Sequence, residues 1–187
     1  AVYPKEKYSR DDLKFLLAIL NSYFATYFIQ KVAFDLTEGA FTKVRTNQLA
    51  RLPLPSCNQE NYISNKESLV KLVDSIQNLN KTLQQKRFNF LTAIKAEFSF
   101  EKTTQSLEKI DEYDFKTFLA ELKKAKANVS ASQKIEWAEA FTTYKQECND
   151  LSQKITATDR EIDQKVYELY GLTDEEIAEV KTGDKIT

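Results

Sequence analysis

Apolar residues recur along most of this chain at helical rather than strand-like intervals. Leu13, Leu16, Leu17, Leu20, Phe24, Tyr27 and Phe28 are spaced by mixed steps of one, three and four. They share one wide face of a helix predicted from Asp11 to about Val32. Asp11 and Asp12 at its start suit the positive end of the helix dipole. After Gly39 the period changes: Ala40-Phe41-Thr42-Lys43-Val44 alternates as a short strand does. Thr46 can cap a short helical turn that reaches Leu52, where Pro53 disfavours helical geometry in the residue before it. Pro53 and Pro55 make an extended exit, and residues 56–64 read as a loop.

From Asn65 the pattern becomes a narrow seam. Leu69, Leu72, Ile76, Leu79 and Leu83 alternate in steps of three and four, and Phe90, Ile94 and Phe98 continue less strictly. A second seam runs through Trp137, Phe141, Tyr144, Cys148, Leu151, Ile155, Thr158, Ile162, Val166 and Leu169. Such spacing is the pattern of paired, coiled-coil-like helices, each roughly 45–55 Å long at ~1.5 Å per residue. A helix exposing either stripe needs a partner. The simplest arrangement is an antiparallel hairpin within one molecule, with residues 99–130 as a helical tip; pairing between molecules is the rival. Phe100, Leu107, Ile110, Phe115, Phe118, Leu119 and Leu122 give the tip its own apolar set. Ser130 or Ser132 can cap the returning helix. Gly171 stops it, and Thr173 to Glu176 form a capping box for a last short helix.

The expected fold is therefore mainly α: a small helical and short-strand portion in residues 1–64, then a long helical hairpin in residues 65–187. Composition agrees, since three Gly and three Pro in 187 residues leave room for few tight turns. No apolar run approaches the ~20 residues of a membrane helix, and no signal peptide opens the sequence, so a cytoplasmic location is expected. A first residue other than Met suggests a piece of a longer polypeptide. The net charge of −1 covers an uneven distribution. Residues 1–96 hold 14 Lys+Arg against 8 Asp+Glu, whereas residues 97–187 hold 13 against 20. Either a polyanion is drawn to the first half, or the halves neutralise each other within the fold.

Catalytic chemistry finds little support. The chain has no His, the commonest general base. Cys57 and Cys148 are far apart and lack metal-ligand spacing, so no metal site is expected. Gly39, Gly171 and Gly183 are isolated and build no phosphate-cradling loop. Glu121-Leu122-Lys123 and Glu179-Val180-Lys181 match half of a nuclease motif, but no Pro-Asp accompanies them. No enzyme activity and no cofactor are expected of this segment.

Nucleic-acid contact is the stronger candidate. Lys43, Arg45, Asn47, Gln48 and Arg51 crowd one strand–turn–helix segment. Lys and Arg can neutralise phosphates, while Asn, Gln and Arg can also pair with base edges. A polar surface turn would look the same. Lys81, Lys86, Arg87 and Lys95 lie along the first long helix and could track a phosphate backbone, although the basic surface of a helical pair explains them better.

Two stretches resemble a known family. Leu16-Leu17-Ala18-Ile19-Leu20-Asn21-Ser22, followed by aromatic residues and then Asn47-Gln48-Leu49-Ala50-Arg51-Leu52-Pro53-Leu54-Pro55, looks like the closing portion of restriction–modification target-recognition domains. Glu161-Ile162-Asp163-Gln164-Lys165-Val166-Tyr167-Glu168-Leu169-Tyr170-Gly171-Leu172-Thr173 is similar to the C-terminal signature of type IIG restriction enzymes and related N6-adenine methyltransferases, the group with a TaqI-like specificity domain. The resemblance implies a parent enzyme that uses S-adenosylmethionine and magnesium. In it, the nuclease and methyltransferase parts would precede residue 1, and double-stranded DNA and that upstream methyltransferase domain would be the partners. This segment would be a non-catalytic recognition and scaffolding piece, with a monomer favoured. A coiled-coil module that docks or dimerises without touching DNA is the alternative. Trp137, Ile162, Asp163, Tyr167, Tyr170 and Gly171 read as structural: seam positions, seam neighbours and a helix stop.

Overall fold

Ser9 and Asp12 open the first element with a reciprocal cap. The Ser9 hydroxyl accepts from the Asp12 amide at 3.2 Å, and the Asp12 carboxylate accepts from the Ser9 amide at 2.7 Å. The computed structural model describes residues 8–33, 49–56, 61–100 and 102–183. In chain order these form α1 (Arg10–Leu20), α2 (Tyr23–Ala33), α3 (Tyr62–Phe98), α4 (Gln105–Glu108), a 3-10 turn (Ile110–Glu112), α5 (Phe115–Lys124), α6 (Ala131–Tyr170) and α7 (Asp174–Gly183). The chain is mainly α, and no strand occurs among the described residues. The expected strand at residues 40–44 lies outside them. None of the described helices is long and apolar enough to cross a membrane.

Two element boundaries differ from expectation. The single helix predicted over residues 11–32 is two helices, broken at Asn21-Ser22. Ser22 causes the break: its hydroxyl donates to the Ile19 carbonyl at 2.7 Å and accepts from the Ala25 amide at 3.2 Å. It ends one helix and caps the next, as short hydroxyl side chains do when they compete with the backbone ladder. The long helix α3 also starts at Tyr62 rather than Asn65.

Contacts divide the chain into two units, and both long helices contribute to each. The first comprises residues 1–76 and 157–187; the second comprises residues 77–156. Leu69 and Val73 of α3 share a core with Phe15 and Ile19 of α1 and with Ile162, Val166 and Leu169 of α6. Val73, absent from the predicted seam, is buried, whereas Leu72 and Ile76 are only half-buried. α1 is the reason. It lies beside α3, pinned by Lys14 to Asp74 at 2.8 Å and by Lys66 to Asp12, so α3 buries a second face.

In the second unit α3 and α6 run antiparallel: Lys86 meets Glu147 at 2.7 Å, and Glu97 meets Gln133 at 2.8 Å. Phe90 stacks on Tyr144 with ring centroids 3.9 Å apart, and Phe98 and Trp137 pack at 5.4 Å. The expected helical tip closes this core. Leu107, Ile110, Phe118 and Leu122 join Ile94, Phe141 and Cys148, all of them buried. Burying one such aromatic or aliphatic side chain contributes about 1.5–3 kcal/mol. Ser130 caps α6 by accepting from the Gln133 amide, and Gln133 accepts in return from the Ser130 amide. At the far end of α6, Gly171 adopts φ +64°, and Leu172 donates back to the Tyr167 carbonyl at 3.1 Å. That left-handed stop is the geometry glycine favours.

Candidate functional site

The first unit brings the Leu20-Asn21-Ser22 turn and the Pro53 segment against the C-terminal part of α6. Asp163 of α6 accepts a hydrogen bond from the Tyr23 amide at 2.9 Å, across 140 residues of chain. Tyr23 is the first residue of α2, so a carboxylate from the C-terminal stretch satisfies an open amide created by the break at Ser22. The Tyr170 hydroxyl donates to the Pro53 carbonyl at 2.6 Å, 117 residues away, and its ring packs on Phe24 at 4.2 Å. Leu20-Asn21-Ser22 and the Pro53 exit are thus both held by α6. α7 adds a further tie, since the Tyr27 hydroxyl bonds Glu179, and Lys31 lies 3.9 Å from the same carboxylate.

The electrostatics of this site follow from burial. Asp163 is 8% exposed, and desolvation pushes its carboxyl up from the ordinary range. The Tyr23 amide and the Lys181 charge oppose that push, while Asp159 adds to it. Asp159, one turn earlier, is also raised by desolvation. Burial and then the Asp163 charge push the Tyr167 hydroxyl up to about 12, and burial does the same for Tyr170. Ile162 and Val166 are core residues of the unit, and Lys181 sits 5.8 Å over the Tyr167 ring. Asp163 thus gives the N-terminus of α2 a second acceptor beside Ser22.

The residues singled out for DNA contact are placed unequally. Lys43, Arg45, Asn47 and Gln48 lie outside the described residues. Arg51 is exposed, next to buried Leu52. Lys86 pairs with Glu147. Arg87 is turned inward: its Nε donates to Asp111 Oδ1 at 2.9 Å and its Nη2 to Asp111 Oδ2 at 2.7 Å, with Glu112 at 3.1 Å. The Arg87 side chain is 13% exposed and that of Asp111 is 4%. The Tyr144 hydroxyl donates to the same carboxylate at 3.3 Å. The guanidinium is therefore turned toward the second unit's own carboxylates. Trp137 is half-buried among Phe90, Phe98 and Phe118. Sequence reasoning missed Asp111 and Ser22. Asp111 sits between apolar tip residues with no periodic signal, while Ser22 closes the leucine-rich stretch with nothing beside it to mark a cap.

No curated protein and no solved structure matches the chain. Residues 63–166 match a family described as a domain of unknown function (DUF8810). The match begins at the second residue of α3, ends within α6 and takes in the whole second unit. It covers more than half of the 187 residues, and the chain belongs to the DUF8810 family.

Proposed function

We propose that this chain is a non-catalytic DNA target-recognition and scaffolding segment of a restriction–modification enzyme. In this reading residues 1–64 complete a recognition domain, and the long helices hold it in place. One observation carries the proposal: the two stretches that resemble the type IIG family are bonded to one another, Asp163 to Tyr23 and Tyr170 to Pro53. A C-terminal signature with that job has a physical reason to accompany a recognition segment. The parent polypeptide would supply the methyltransferase and nuclease parts, with S-adenosylmethionine and magnesium, and those parts would be the chain's protein partner.

Lys43, Arg45, Asn47, Gln48 and Arg51 are the DNA-contacting residues in this proposal, and Arg87 is left out because Asp111 engages it. Binding of the 187-residue chain to a fluorescent duplex, followed over a range of salt concentrations, tests the proposal. Affinity should fall linearly with salt on a log–log scale. Replacing Lys43, Arg45 and Arg51 together by Ala should flatten that slope by roughly 0.9 for each phosphate that is no longer neutralised. Unchanged affinity and slope in the triple variant, or no salt-sensitive binding by the parent chain, contradicts the proposal. The engagement of Lys86 by Glu147 at the surface, and the inward turn of Arg87 onto Asp111, favour a second reading for the helical hairpin, a module that docks on protein and does not meet DNA.

A further inference from the structure

Lys86 and Arg87 are engaged by Glu147 and Asp111, whereas Arg51 is exposed and pairs with no carboxylate among the described residues. Arg51 stands in a stretch with little structure of its own. The Leu52 amide donates to the Leu49 carbonyl at 3.1 Å, and residues 53–56 belong to no helix. Such a stretch takes its position from the scaffold beneath it. Leu52, 6% exposed, belongs to the core that holds Ile162, Val166 and Leu169 of α6, and the Tyr170 hydroxyl donates to the Pro53 carbonyl at 2.6 Å. Proline has no amide, so that carbonyl is the one backbone hydrogen-bonding group that Pro53 offers. Tyr170 is itself firmly seated. It is the last residue of α6, Gly171 ends the helix behind it at φ +64°, and its ring lies on Phe24 at 4.2 Å.

We infer that Tyr170 is a positioning residue for DNA contact: through the Pro53 carbonyl, its hydroxyl holds Arg51 where the guanidinium meets a phosphate of the duplex. The inference rests on the recognition reading proposed above. Tyr170 acts through the backbone of the segment, because its hydroxyl is already spent on Pro53. The physical basis is preorganisation. A guanidinium on a loose segment has to be ordered when it binds, and the entropy lost is subtracted from affinity. A segment fixed beforehand has lost that entropy on folding. Salt separates positioning from contact, since its slope counts the phosphates neutralised and not the order of the segment that carries the cations. A lost contact flattens the slope, whereas a lost anchor weakens binding at every salt concentration and leaves the slope alone. The bond can add to affinity no more than its own net contribution to ordering the segment, which limits the effect to about tenfold.

Duplex binding by the full chain, titrated against salt, tests this with Tyr170→Phe, which deletes the hydroxyl and keeps the ring that packs on Phe24. Circular dichroism first establishes that the variant is folded at the temperature of the assay. Tyr170→Phe should weaken binding about three- to tenfold at each salt concentration, with the slope of the unaltered chain. Arg51→Ala should instead flatten the slope by roughly 0.9. In the Arg51→Ala background the loss caused by Tyr170→Phe should shrink, because the two residues serve one contact. A merely structural tyrosine would lower the melting temperature and leave affinity alone. That result, or a flattened slope in Tyr170→Phe, overturns the inference while the recognition reading stands. No salt-sensitive binding by the unaltered chain overturns both. If Tyr170→Phe does not fold, nuclear magnetic resonance of the unaltered chain decides: the duplex should shift the Tyr170 ring resonances, and their indifference overturns the inference.

Discussion

Asp12 and Asp163 both serve helix N-termini, yet their surroundings pull their acidities in opposite directions. The Lys66 hydrogen bond first, and the Ser9 amide and hydroxyl after it, hold the Asp12 carboxyl down to about 2 from an ordinary 3.8. A folded-state value below the unfolded one means that ionised Asp12 favours the fold. That contribution is complete above about pH 4 and disappears as pH falls through about 2. Asp163 is raised, mainly by desolvation, so its ionisation opposes folding and acid relieves it. Asp12→Asn should therefore flatten the loss of thermal stability between about pH 4 and about pH 2, as followed by circular dichroism. Asp114 and Glu121, which are also lowered, supply the acid sensitivity that remains. An Asn variant whose melting temperature falls as steeply as that of the unaltered chain contradicts the assignment. The Ser9–Asp12 cap is half legible in the sequence, as two acids opening a helix. Lys66 is not, because nothing in a linear pattern places residue 66 beside residue 12.

Arg87 joins two elements rather than decorating one. It reaches from α3 to the 3-10 turn with a two-pronged bond to Asp111, the geometry that makes Arg–carboxylate pairs strong and specific. Removing the guanidinium would leave a nearly inaccessible carboxylate with the Tyr144 hydroxyl, Cys148 being close by. Arg87→Ala should cost about 3–5 kcal/mol in urea unfolding, the usual penalty for stranding one half of a buried pair. Arg87→Lys should recover only part of it, because an ammonium cannot reproduce the fork. A loss below about 1 kcal/mol, the range of exposed pairs, would show that Asp111 is solvated and the pair dispensable. Elements as such are largely readable: the seams through Leu69 and Leu83 and through Phe141 and Leu169 face inward, and the caps at Ser130, Gly171 and Thr173 stand where residue chemistry put them. Val73 is not, since its burial depends on α1 arriving from a distant part of the chain, and the Asp163 acceptor at the Ser22 break likewise comes from α6.

Charge, too, looks different once the chain is folded. Counted by unit, Lys+Arg against Asp+Glu come to 14 against 17 in the first and 13 against 11 in the second, so the contrast between the two halves of the sequence nearly vanishes. An antiparallel hairpin interleaves a basic half with an acidic one, and pairs such as Lys86 with Glu147 express that mixing. The family match falls on the same hairpin, from residue 63 to residue 166, and leaves residues 1–62 outside it. The candidate site is legible only as two separate stretches of sequence; the bonds that unite them run over more than a hundred residues and have no signal in periodicity. Everything proposed for the molecule depends on α3 and α6 pairing within one chain. Carbodiimide coupling reports this directly, because it joins only amines and carboxylates already in contact, as Lys86 and Glu147 are at 2.7 Å. In an equal mixture of light and isotopically heavy chains, the coupled peptides should be all light or all heavy. Peptides joining a light Lys86 to a heavy Glu147, or no such coupling in the folded protein, would contradict an intramolecular hairpin.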